Sequence, residues 1–339
     1  MYALSNVDSY RYRPSATHPE IYVLAIDRIA SDGVVSISSD QQLSLFRPSA
    51  GLSSGPTASW TTSHGNLNSL GVFDWQSGIV CTAGEDGSVG VWDLRLAGEG
   101  AKVAQFTASQ TPILSMACSA STQTIAVGTE LQNHTASILL WDVRSNPAPK
   151  AAYHEVHSDD VTTLAFHPST PELLLSGSTD GLVSVHDTRI ADEDDLTVQT
   201  FNHNASIHHA GFLTNTEVVA LSHDERFALY DMAEERPSGD ATQDFGDMRT
   251  VLDCQYVADV TPKLDGSGAI VGAGAQDRQS FELTFMARTP QHGWVLSRED
   301  AVSMPGAHGE EIVRSFCFFD EERVVFTAGE DGHIRAWRS

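Results

Sequence analysis

Residues 82–95 read TAGEDGSVGVWDLR, residues 176–189 read SGSTDGLVSVHDTR, and residues 327–339 read TAGEDGHIRAWRS. Each is a run of small residues, then an Asp-Gly turn, then a second alternating run that ends on an aromatic side chain. Alternating Val, Ile and Thr suit a pleated strand, and Asp-Gly between two such runs is a strong hairpin signal. In each copy an Asp leads the aromatic by six positions: Asp86 to Trp92, Asp180 to His186, Asp331 to Trp337. Three hairpins of one design along a single chain imply a repeated unit that buries its apolar faces against its neighbours.

The same spacing recovers weaker copies. Asp40 leads to Phe46 in SSDQQLSLF, Asp224 to Tyr230 in SHDERFALY, and Asp277 to Leu283 in AQDRQSFEL. One more unit ends in LLWDVR with Trp141, its tight turn replaced by the polar loop ELQNHTAS. Seven units follow, spanning residues 1–339 as one domain. The last unit stops at Ser339 after its third strand, so the segment around Ser9 to Arg13 is expected to supply the fourth. A strand from the other terminus would pair an otherwise open edge and close a ring.

Charge and composition narrow the function. The 339 residues carry 45 acidic against 20 basic side chains, a formal net charge of −25. That field repels phosphate, which argues against direct binding to nucleic acid or an anionic membrane. It serves solubility and also favours a basic protein partner. Cys81, Cys118, Cys254 and Cys317 are far apart, without metal-ligand spacing, and read as buried free thiols of a reducing compartment. The N-terminus lacks the basic start and apolar stretch of a signal peptide, and no run approaches the ~20 apolar residues that span a bilayer. These features lead us to expect a cytoplasmic or nuclear monomer that needs no cofactor.

The endings WDLR, WDVR, HDTR and AWRS, with their GEDG and GSTDG turns, resemble WD-repeat propellers. The stretches 155–195 and 306–337 resemble the WD repeat-containing protein 89 group. The resemblance implies an all-β, seven-bladed propeller of four-stranded antiparallel blades, with an N-terminal strand closing the ring. It also implies an interaction scaffold that is not an enzyme.

Such propellers brace their blades with a polar relay. Here the candidates are His64, Thr82, Asp86 and Trp92 in blade two, and His308, Thr327, Asp331 and Trp337 in blade seven. Blade four offers His157, Ser176 and Asp180, with His186 at the Trp position. The Asp is expected to accept from the imidazole and from turn amides, and the hydroxyl to link the imidazole to the indole N–H. A Ser/Thr–His–Asp set also suits a hydrolase, but threefold repetition in register with structural turns favours bracing over catalysis. Blade five keeps His203 and Asp224 with Ala220 at the hydroxyl position, and should be braced less well. His154 and His157 are too close for a zinc-protease motif. His208 and His209 point to opposite strand faces, and Gly272 and Gly274 lack the rest of a dinucleotide fingerprint.

Two features concern partners. Two and three positions after the relay histidine stand Asp159 and Asp160 in blade four, and Glu310 and Glu311 in blade seven. With Glu85, Glu225 and Glu330 in the adjoining turns, they would make that face attractive to a basic segment. Asp192 to Asp195 and Asp320 to Glu322 make the other face acidic as well. The W-D-x-R-type boxes with Arg95, Arg144 and Arg189 support an alternative, a substrate receptor docking on a cullin-ring ligase adaptor.

Overall fold

A computed structural model describes residues 2–108, 111–144, 148–233, 239–263, 266–291 and 293–339. Six four-stranded sheets and one five-stranded sheet account for the strands. In six of them four strands pair in succession along the chain, and in the seventh the outer strand comes from the N-terminal segment. Blade four is representative: Val161–Phe166, Leu173–Ser178, Leu182–Asp187 and Thr197–Asn202 pair antiparallel in that order. Its second and third strands are mostly buried on both faces, whereas the outer strand Thr197–Asn202 is largely exposed. Burial on both faces explains why the second strands of the blades, such as Gly33–Ser38 and Glu217–Ser222, read as unbroken small and apolar runs.

The chain divides into two compact units: residues 1–80, 92–103 and 252–339, and residues 81–91 and 104–251. Three of the four dividing lines pass through blade two, and the fourth falls between Val251 and Leu252. In the first unit, Ile26, Val34 and Phe46 of blade one cluster with Phe326 and Ile334 of blade seven. Phe281 and Leu283 of blade six join Phe316 and Trp337 of blade seven in another cluster. In the second unit, Leu175 and Val185 of blade four pack with Val218 and Tyr230 of blade five.

The N-terminal strand does what strand counting requires, in a slightly different place. Ser5–Arg11 pairs antiparallel with His333–Arg338 as the outer strand of blade seven. The pairing begins before the expected Ser9 because the chain is extended from Ser5 onward. Ahead of it, Tyr2–Ala3 adds a short parallel strand to Gly293–Pro305 of blade six, opposite Val302 and Ser303. This second attachment, absent from the sequence reading, ties one terminal segment to two blades.

Two local devices recur. The first strands of six blades carry a register shift after their first or second paired residue, as between Val161 and Thr163 or Val257 and Asp259. Such bulges bend and twist a strand where it enters the sheet. The hairpin between second and third strands needs one residue in the left-handed region. The strong copies use Gly87, Gly181 and Gly332, at φ of 68, 87 and 74°. The weak copies place Gln41, Glu225 and Gln279 there, at 63, 62 and 49°, and so carry strain that glycine avoids.

Candidate functional site

The relay of blade seven is complete. The Trp337 indole N–H donates to Thr327 Oγ1 at 2.8 Å, and the threonine hydroxyl donates to His308 Nε2 at 2.8 Å. His308 Nδ1–H then donates to Asp331 at 2.6 Å, while Asp331 also accepts from the His333 amide and from Arg335. Burial opposes the charge on Asp331, but the hydrogen bonds from His308, His333 and Arg335 hold its carboxyl well below the usual range. Burial also lowers the pKa of His308. The set is an ionised carboxylate under a neutral imidazole, in which the indole, hydroxyl and imidazole polar atoms are satisfied while Nε of the neighbouring Arg335 is buried without a partner. No solvent-facing nucleophile results: Thr327 is fully buried.

Blade four is a variant of the same chain of bonds. His157 reaches Asp180 at 3.0 Å and Ser176 at 2.7 Å. Ser176 Oγ accepts from His186 Nε2 at 2.8 Å, and His186 Nδ1 meets Thr197 Oγ1 at 3.1 Å. His186 thus replaces an indole donor and adds an acceptor that an indole lacks. Burial, reinforced by His157, pushes its pKa down to about 3, so it stays neutral. In blade two, His64, Thr82 and Trp92 are buried, and Asp86 accepts from the amide and hydroxyl of Ser88.

Blade five departs from the expectation. With Ala220 in place of the hydroxyl, His203 turns to the Tyr230 hydroxyl at 2.8 Å and to the Arg226 carbonyl at 3.1 Å. Its partner is not Asp224, and the phenol provides bracing that the missing hydroxyl cannot. Blade one has a further substitute outside the sequence reading. Tyr12 is buried and shares a 2.8 Å hydrogen bond with Ser36, which occupies the hydroxyl position of the second strand. Burial pushes the Tyr12 phenol up to about 12. The signal in the sequence was Ser36 itself, four residues before Asp40, as Ser176 precedes Asp180.

One stretch carries the spacing of a hydrolase elbow: Gly51, Ser53 and Gly55 in GLSSG. Ser53 lies in the short 3-10 turn Leu52–Ser54, not between a strand and a helix, and its amide donates to Asp8. Among the described residues, no group of three or more His, Cys, Asp and Glu side chains is placed to hold a metal ion.

The candidate partner residues differ among themselves. Glu310 and Glu311 are exposed, whereas Asp159 and Asp160 are half-buried. Asp160 accepts the Leu131 amide at 2.7 Å, and Asp159 accepts the Asp160 amide at 2.9 Å, so the blade-four pair organises its own loops. In the first unit, Glu311 lies with Glu20, Tyr22, Glu330 and Asp331 along a groove of about 350 Å³. The Tyr22 hydroxyl donates to Glu20, and that bond, with Glu20, Glu330 and Glu311 nearby, raises its pKa. Arg95, Arg144 and Arg189 each fork onto the Asp two positions earlier, with Nη2–Oδ2 distances of 2.7, 2.6 and 2.6 Å. Each guanidinium side chain is nevertheless 65–69% exposed.

Comparison with known proteins bears on what these repeats are. The family model described as WD domain, G-beta repeat matches residues 150–187 and 302–338. An uncharacterized WD repeat-containing protein of Schizosaccharomyces pombe is 34% identical over 284 residues, covering 81% of this chain and 83% of that one. The chain belongs to the WD-repeat family. A second WD-repeat relative, from Saccharomyces cerevisiae, is 29% identical over 324 residues and covers 94% of this chain and 79% of its own. The WD repeat-containing protein 89 homolog of Dictyostelium discoideum is 27% identical over 189 residues, covering 53% of this chain and 49% of that protein. The crystal structure of the WD40 β-propeller domain of Doa1 superposes with a TM-score of 0.66 at 15% identity, covering 99% of this chain and 97% of that one. The fold of this WD-repeat protein is therefore the seven-bladed β-propeller. WD-repeat propellers generally act as non-enzymatic scaffolds for protein interactions.

Proposed function

We propose that this WD-repeat protein is an interaction scaffold that captures a basic protein segment on the acidic face bearing the relay turns. The observation that carries the reading is the groove of Glu20, Glu311, Glu330 and Asp331, in which Arg11 and His333 are the basic lining residues. Arg314 offsets Glu330 by an ion pair at 2.6 Å, but Glu310 and Glu311 remain exposed. Set in a chain of net charge −25, exposed carboxylates in a concave surface focus field and speed encounter with a cationic partner. Fields of this kind decay over a Debye length of roughly 10 Å at moderate salt, so capture is salt-labile.

The test is affinity capture from native lysate at low and high salt, using the full chain and a variant with Asp159, Asp160, Glu310 and Glu311 all changed to Lys. Basic proteins retained at low salt, released at high salt and lost by the variant support the reading. Capture that survives charge reversal, or a partner set that is uncharged and salt-resistant, refutes it. We favour this reading over adaptor docking by the arginine boxes, in which each guanidinium forks onto the Asp of its own box while its side chain stays 65–69% exposed.

A further inference from the structure

A concavity in the first unit has a volume of about 730 Å³ and lies at the far ends of the first strands from the relay histidines. Its lining includes Asp27 and Arg28 of blade one, Asp259 and Lys263 of blade six, and Cys317 and Asp320 of blade seven. Phe285, Phe316 and Phe318 form an aromatic wall. A volume of this size suits one or two side chains of a peptide or a small ligand.

The cations already present keep away from Asp27. Arg28 stacks over Phe319 at 4.5 Å, approaches Trp75 at 5.7 Å and pairs with Glu321 at 3.2 Å. The Lys263 ammonium lies 5.4 Å from the Phe285 ring, so the wall already seats one cation by its π face. Asp27 accepts the Arg28 amide at 2.7 Å and forms no ion pair among the described residues. Asp259 accepts the Val260 amide at 2.7 Å. Asp27 is accessible to solvent yet surrounded by protein mass. That burial, with the charge of Asp259 adding to it against the Arg28 amide, raises its pKa to about 6. The Cys317 thiol faces the same carboxylate and is held neutral, its pKa pushed up by burial and then by Asp27.

We propose that this cavity receives the cationic side chain of a lysine or arginine from a partner's extended segment, seated between Asp27 and Asp259 against the phenylalanine wall. The inference rests on the basic-partner reading but puts an anchor at a different place from Glu310 and Glu311. The chemistry is complementary in both parts: the aliphatic stem lies on aromatic surface, and the charge meets Asp27, which the protein's own cations leave to the Arg28 amide. Neutralising one carboxylate of such a site weakens binding by tenfold or more, by the usual effect of removing one partner.

The probe is a fluorescein-labelled tetra-arginine peptide, with tetra-lysine as the second probe, titrated into the full chain at low ionic strength and followed by anisotropy. Asp27→Asn is expected to weaken binding about tenfold at pH 7.5, the low end of that range. For the parent protein, lowering the pH to 5 protonates Asp27 and weakens binding by about the same factor, whereas Asp27→Asn shows no such pH step. Should Asp27→Asn fold poorly, the Asp27 carboxyl carbon can be followed by NMR in the parent protein. Its pKa must fall when peptide is added. If Glu310→Lys/Glu311→Lys abolishes binding while Asp27→Asn leaves it unchanged, the cavity is not the anchor and the acidic-face reading stands. The reverse result refutes the acidic face and keeps the cavity. Saturable binding of Ca²⁺ alone that is lost in Asp27→Asn assigns the carboxylates to a metal ion and overturns the proposal. So does an Asp27 pKa that peptide does not move.

Discussion

Replacing Thr327 with valine isolates the relay of blade seven. Valine keeps the branched shape, so no cavity opens and the change is the loss of one hydroxyl. That hydroxyl accepts from Trp337 Nε1 and donates to His308 Nε2, both at 2.8 Å, and all three residues are at most 2% exposed. Water has no route to replace it, so a buried donor and a buried acceptor are both orphaned. At about 1–3 kcal/mol for each unsatisfied group, the expected loss is about 2–6 kcal/mol. Urea unfolding of the full chain should show a lower midpoint with an unchanged m-value. A double-mutant cycle with Trp337→Phe, which removes the orphaned donor, should return at least about 1 kcal/mol as coupling energy. A loss below about 0.5 kcal/mol for Thr327→Val, or no coupling to Trp337, would refute the claim that the relay is held together by mutual satisfaction of buried groups.

Three further outcomes follow from the same geometry. Deleting residues 1–11 removes the outer strand of blade seven and the short pairing with blade six, baring the edge of His333–Arg338. The truncated chain should aggregate and bind a hydrophobic dye at temperatures where the parent does not, and an unchanged melting profile would contradict the strand assignment. Gln41→Gly and Glu225→Gly relieve left-handed strain at φ of 63 and 62° and should each raise stability by about 1 kcal/mol in urea titrations, whereas destabilisation would show that the side chains matter more than the backbone. His186 has a folded pKa of about 3 against an ordinary 6.5, so the unfolded chain takes up the proton first. Its contribution is whole above pH 6.5 and shrinks as pH falls toward 3, by about 2 kcal/mol at pH 5. An imidazole NMR titration that finds His186 protonated in the folded protein at pH 5 would contradict this.

The relay also shows where sequence reading succeeded and where it stopped. Blades four and seven were legible because a histidine, a hydroxyl and an aspartate recur at fixed spacing, and fixed spacing within one blade is a local property. The substitutes in blades one and five were not: Tyr12 lies outside the spacing of its blade, and Tyr230, although at the aromatic position, bonds the imidazole directly where a hydroxyl would otherwise link the two. The acidic pairs looked alike in sequence, yet Asp160 is committed to the Leu131 amide while Glu311 is exposed. Which carboxylates are available is decided by the loops they meet, and those loops come from a neighbouring blade.

The amino-acid sequence by itself determined the number of repeats, the all-β class, the His–hydroxyl–Asp relays of blades four and seven and, by strand counting, the strand-completing role of the N-terminus. The first three depend on alternation, turn residues and spacing within units of some 40–50 residues, where contacts are local. Only the tertiary structure decided the attachment of Tyr2–Ala3 to blade six and the cavity where Asp27, Asp259 and the Phe285 wall converge. Asp27 is more than two hundred positions from Asp259 and Phe285, and no periodic signal links them. They meet because successive blades bring the ends of their first strands together, and Asp27 takes its raised pKa from that convergence.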